Sequence, residues 1–228
     1  MRGETLAQRH VAKLREQRDV YELTECRDLQ QACKEACFHD GAAEAGDLLD
    51  SYTRLRDFLT ERIRENGEAG LARYIALAQD SYREGLAALH LALQIHLALE
   101  DVDIDKLKRE LSAWRGRIDN ASAGDRDILN RQIDAHERRL DTYERSVQAI
   151  AELIAQSNEQ ESALENALLE LSGLVGDDIP SRAGDLESAN RLEIAIKAAR
   201  RVEEKMRNIG ASKTTPEDEE YLRAGQHQ

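Results

Sequence analysis

The stretch Leu129-NRQIDAHERRLDTYERSVQAIAELIAQSNEQESALENALLELSGL-Val175 decides the fold class. Within it Leu129, Ile133, His136, Leu140, Tyr143, Val147, Ile150, Ile154, Ser157, Glu161, Leu164, Leu168, Leu171 and Val175 recur at alternating steps of four and three. A strict 3.5-residue repeat keeps one stripe of a helix turned toward a partner along its whole length. The spacing therefore predicts a single helix, about 70 Å long, with a coiled-coil seam.

A partner for that seam lies upstream. From Glu68 onward Leu71, Ile75, Ala78, Tyr82, Leu86, Leu89, Leu93, Leu97, Ile104, Leu107, Leu111, Trp114 and Ile118 form a second stripe, which ends at the polar segment Asn120–Asp125. Folding back through that segment sets Trp114 against Ile133, Leu107 against Leu140, Ile104 against Tyr143 and Leu97 against Ile150. Apolar meets apolar throughout, and a short connection favours antiparallel neighbours. The expected fold is all-α, an elongated helical bundle built on a long antiparallel coiled-coil hairpin over residues 67–176, with its turn near 120–125.

The flanking segments read as helices packed on that hairpin. Residues 1–66 hold two of them: one from Glu4 to Phe38, ended by His39-Asp40-Gly41, and one from Ala42 to Glu65, ended by Asn66-Gly67. Residues 177–210 hold a C-terminal helix, Leu186 to Ile209, with Gly210 as its cap; residues 211–228 give a short helix after Thr215-Pro216 and a flexible tail. Leu86 to Leu99 is apolar on more than one side, which predicts a sandwiched segment at one end of the hairpin and a two-helix arm ending near Ala121 at the other.

Composition narrows the function. A chain of 228 residues with 34% charged, 41% hydrophobic, 4% aromatic and two prolines is rich in helix formers. Its formal charge of −13 opposes binding to phosphate backbones, so nucleic acid is excluded as a partner. Residues 1–24 are charged almost throughout and carry no apolar signal core. The most apolar stretch, Leu86 to Leu99, is interrupted by His90, Gln94 and His96 and is too short to span a bilayer. Three cysteines are an odd number for a disulfide framework, so a cytoplasmic, reducing location is expected. The preference for arginine over lysine suggests a bacterial source.

Four features invite a chemical or interaction reading. Cys33, Cys37 and His39 bring soft metal ligands together, but with Cys26 the cysteines also fall on a helical stripe as small core residues, and that reading takes precedence. The hairpin register places His90 opposite Ser157 and Leu86 opposite Glu161, with Gln94 nearby. His90, Gln94, Ser157 and Glu161 are thus expected to form a polar layer that fixes register at a cost in stability. Trp114 marks a contact zone near the arm tip. Glu100 to Asp105 resembles the start of a calcium loop, but Lys106 stands where glycine is needed and Ser112 where glutamate is needed.

Phosphate-binding glycine loops, nucleophile elbows and His-Glu-x-x-His pairs do not occur, and no catalytic residue or cofactor is expected. The function expected is that of a non-enzymatic cytoplasmic scaffold or adaptor, acting through a protein partner or self-association. A hairpin of this length and acidic charge resembles in architecture the phage shock protein A family, which would imply a peripheral membrane-associated stress protein. Residues 1–24 lack the strongly apolar face of that family's first helix, so a membrane surface ranks below a protein partner. A metal- or small-ligand-binding bundle is the third reading.

Overall fold

A computed structural model of the chain describes residues 21, 23–66, 71–173, 189–198 and 200–201. Every regular element among them is helical, so the all-α class holds. We label the helices α1 (residues 23–35), α2 (His39–Asn66), α3 (Leu71–Glu100), α4 (Ile104–Ile118), α5 (Ala123–Ser172) and α6 (residues 189–201). The expected helical start at Glu4, the Gly176–Pro180 entry, the Gly210 cap and the helix after Pro216 lie outside the described residues.

α1 ends earlier than its sequence suggests. Cys37 takes a left-handed conformation (φ 53°), Phe38 N–H donates to the Cys33 carbonyl at 2.8 Å, and Cys37 N–H donates to the Lys34 carbonyl at 3.2 Å. This paired pattern closes the helix with a left-handed residue in the place usually given to glycine. Gly41, expected as a breaker, instead lies in the first turn of α2, where an added Cβ would overlap the ring of Phe38. Its role is close approach, not termination.

The helix expected from Glu68 to Ile118 is divided at Asp101–Asp103. Asp103 caps the new N-terminus by accepting from the Lys106 amide at 2.8 Å, which offsets the unfavourable placement of Glu100 and Asp101 at the negative end of α3. The turn after α4 falls where expected. Ser122 leads into α5: its Oγ donates to the Asp125 carboxylate at 2.6 Å, and the Asp125 amide returns to Oγ at 3.4 Å.

The chain forms two compact units: Met1–Gly46 with Leu89–Ala155, and Asp47–Ala88 with Gln156–Gln228. The first is cored by Cys26, Leu29, Cys33, Phe38, Leu89, Leu93, Leu111, Leu129 and Ile133. In it α4 and α5 meet through Glu110 with His136 and Arg115 with Glu137. The second unit packs α2, α3, α5 and α6 around Leu48, Tyr52, Leu55, Tyr74, Tyr82, Leu164, Leu171 and Leu192. Tyr52 and Tyr82 stack there, with ring centroids 4.3 Å apart.

α5 runs for 50 residues, but its buried stripe shifts. Leu129 and Ile133 are buried as the seam requires. Farther along, the buried positions are Leu153, Gln156, Ser157, Gln160, Ala163, Leu164, Ala167 and Leu171, while Ile154, Glu161 and Leu168 are only half-buried. From Leu153 to Leu171 the buried positions still recur every seven residues, as Leu153, Gln160 and Ala167 and as Ser157, Leu164 and Leu171, so the period holds and one side of the stripe is displaced by a single residue from Ile154, Glu161 and Leu168.

Candidate functional site

The cysteines divide by burial and by backbone. Cys26 is fully buried and its Sγ–H donates to the Ala45 carbonyl at 3.2 Å, so it stitches α1 to α2. Cys33 is fully buried on the same stripe, and burial pushes its thiol pKa up. A thiol held neutral is a poor nucleophile and a poor metal ligand. Cys37 is exposed at the end of α1, and His39 is exposed at the first position of α2. Among the described residues no group of three or more His, Cys, Asp or Glu side chains is placed to hold a metal ion.

The four residues assigned to one polar layer occupy different settings. His90 lies 3.6 Å from Glu25 of α1, and Gln94 is exposed. Ser157 is fully buried. Glu161 is half-buried and accepts from Ser51 Oγ at 3.4 Å. The innermost polar contact in the second unit is instead Ser81 Oγ–H donating to Gln160 Oε1 at 2.8 Å, both residues being fully buried. Gly85 lies beside it, where a Cβ would stand 3.4 Å from that of Gln160 and 2.9 Å from Leu48 Cδ2. The Oγ of Ser157, the Nε2 of Gln160 and the Oε1 of Gln156 are buried and make no hydrogen bond among the described residues. Such a layer specifies packing while costing stability.

Ion pairs frame this unit at its surface. Glu165 accepts from Arg54 at 2.8 Å, Arg73 pairs with Glu193, and Arg200 donates to Glu84 at 2.8 Å. These contacts fasten α2 to α5 and α3 to α6, and being largely exposed they contribute little individually.

Trp114 is half-buried, not projecting. Its indole meets His136 edge to face, with centroids 4.3 Å apart, and His136 Nε2 lies 3.0 Å from Glu110 Oε2. The nearby pair of Arg115 with Glu137 closes the other side. The group acts as a clamp between α4 and α5. Below it the seam thins out: Leu107, Leu140 and Tyr143 are half-buried, and Leu97 and Val147 are each 46% exposed.

Two concave surfaces occur in the first unit. One, of about 420 Å³, runs along the outer side of α5 between Asp134, Glu137, Arg138 and Asp141. The other, of about 320 Å³, lies between α1 and α3. It is floored by Leu29 and Leu93 and rimmed by Glu25, Asp28, His90 and Tyr21. Both are open, a form suited to contact with another surface more than to sheltered chemistry.

Sequence reasoning missed the device that holds the end of α1. His96 stacks on Phe38, with centroids 4.7 Å apart and planes 18° apart, and its Nε2 lies 3.0 Å from the Ala36 carbonyl. It occupies a carbonyl that the helix end leaves free. In the sequence His96 only interrupts the apolar stretch Leu86 to Leu99, and nothing near it names Ala36. Gln156 and Gln160 were also missed, although stepping back seven residues from Ala163 and Ala167 selects them. Comparison with protein-family models, curated proteins and solved structures finds no match for this chain.

Proposed function

We propose that this chain is a non-enzymatic cytoplasmic scaffold or adaptor that works by protein–protein contact or self-assembly, through an antiparallel coiled-coil hairpin formed by α5 and the helices preceding its turn. The observation that carries the reading is the under-covered seam of the first unit, where Leu97 and Val147 are each 46% exposed beside half-buried Leu107, Leu140 and Tyr143. Apolar side chains left at this exposure along paired helices gain about 25 cal/mol for each Å² that a further surface covers. The two open surfaces of this unit and its zwitterionic helices favour recognition of a partner over turnover of a substrate.

The reading is tested by cross-linked capture from the native host with the intact chain and with a Leu97→Asp/Val147→Asp variant. Both side chains are already half in water, so the variant should keep its helicity. It is expected to lose the proteins, or the second copy, that the wild type retains. Identical capture by both chains would remove the seam as the working surface, and a catalysed reaction traced to the purified chain would remove the non-enzymatic reading altogether.

A further inference from the structure

We propose that the cation-rich outer face of α4 in one copy of this chain seats in the acid-rimmed cleft between α1 and α3 of a second copy. This rests on the scaffold reading and names a surface through which the scaffold would assemble. α4 carries Lys106, Lys108, Arg109, Arg115 and Arg117 against only Asp105 and Glu110, so it is positive within a chain of formal charge −13. Glu110 is engaged with His136, and Arg115 with Glu137. Arg109 falls opposite Leu107, Leu111 and Trp114, beside Asp105, and Lys106 and Arg117 share the flank next to it. All three are exposed, and none forms an ion pair among the described residues. Gly116 interrupts this face with no atom within 4 Å of where its Cβ would be, leaving room for another surface to approach.

The cleft has the complementary chemistry. Glu25 and Asp28 stand on its α1 side, Leu29 and Leu93 form its floor, and Tyr21, 67% exposed, stands at the rim. A lysine or arginine entering it would lay its aliphatic stem on the two leucines, bring its head to the carboxylates and meet the tyrosine ring. His90 already lies by Glu25, so Asp28 supplies the carboxylate left for an incoming cation. Volume agrees, since about 320 Å³ admits long side chains from one helix face but not a whole helix.

Charge selects a second copy as the occupant. Two chains at −13 repel in most orientations, and α4, which like α6 carries three more cations than acids, can approach an acidic surface of its twin without that penalty; α4 belongs to the same unit as the cleft and keeps Lys106, Arg109 and Arg117 outside ion pairs among the described residues. Every copy offers one donor face and one cleft. The contact is therefore heterologous, and assembly extends from copy to copy unless the rotation closes a ring.

The test is sedimentation of the full chain from micromolar to sub-millimolar concentration at low and high salt, with circular dichroism as the folding control. The wild type should gain mass with concentration at low salt and lose the gain at high salt. Two variants reverse one side each: Lys106→Glu/Arg109→Glu on the donor face, and Asp28→Arg/Ala32→Lys on the cleft, the second leaving Glu25 and His90 intact. Each alone should associate about tenfold or more weakly, and an equimolar mixture should recover assembly because each reversed surface then meets its opposite. A wild type that stays monomeric throughout, mass growth indifferent to both reversals, or a mixture that fails to recover would overturn the proposal. Because partner capture is read at Leu97 and Val147, which neither variant alters, loss of this contact and loss of the scaffold reading give different results.

Discussion

Cys37 shows how a single residue can end a helix against its own preference. A side chain with a Cβ in the left-handed region costs roughly 1 kcal/mol, a cost glycine escapes. Cys37→Gly is therefore expected to stabilise the chain by about 0.5–1 kcal/mol in urea unfolding, whereas Cys37→Val should destabilise it by at least as much. Cys33 is governed by burial. Its raised pKa means that the folded state favours the neutral thiol, so this contribution is fully present below the unfolded-state value near 9.0 and is lost as pH rises through the folded value. Stability of the wild type should decline at alkaline pH more steeply than that of Cys33→Ala. With a disulfide reagent at neutral pH, Cys37 should react first and the buried pair only on unfolding.

At the scale of elements, the break between α3 and α4 depends on the capping carboxylate of Asp103. Asp103→Ala should cost about 1 kcal/mol and raise hydrogen exchange at residues 104–107 more than in α5. Unchanged exchange there would show that tertiary packing, not the cap, starts α4. In the second unit the Ser81–Gln160 bond and the buried Ser157 hydroxyl predict opposite signs. Ser81→Ala leaves Gln160 Oε1 without its donor and should cost about 1–2 kcal/mol, while Ser157→Ala removes a hydroxyl with no partner among the described residues and should be neutral or stabilising. Both are read from denaturant midpoints, and a destabilising Ser157→Ala would mean that its hydroxyl is hydrogen-bonded in solution.

For the whole molecule, charge decides more than any one contact. A chain at −13, with no helix among the described residues long and apolar enough to cross a membrane, should be repelled by an anionic bilayer. It is expected to remain at the bottom of a liposome flotation gradient at low salt, and flotation with anionic vesicles would shift the functional reading to a peripheral membrane role. The two compact units divide the chain differently from a plan drawn along the sequence, because their boundaries fall inside α2, α3 and α5. A long helix contributes different faces to different neighbours along its length, and no change of composition marks where that exchange occurs.

Much of the helical plan is written locally. The all-α class, the extent of α5 and the turn between Ile118 and Ala123 follow from periodicity, from the scarcity of proline and from Ser122 three residues before Asp125, interactions that act within a turn or two of chain. What the tertiary structure alone decided is which side chains are enclosed. The seven-residue repeat read along the sequence persists in space, but the neighbours that α5 meets in the second unit cover a stripe displaced by one residue, so burial falls on Gln156 and Gln160 while Glu161 lies only half-buried. Gly41 beneath Phe38, His96 at the end of α1 and Glu25 beside His90 likewise depend on residues brought from distant parts of the chain. Local chemistry sets where helices start and stop; the fit between their faces sets what those helices hold.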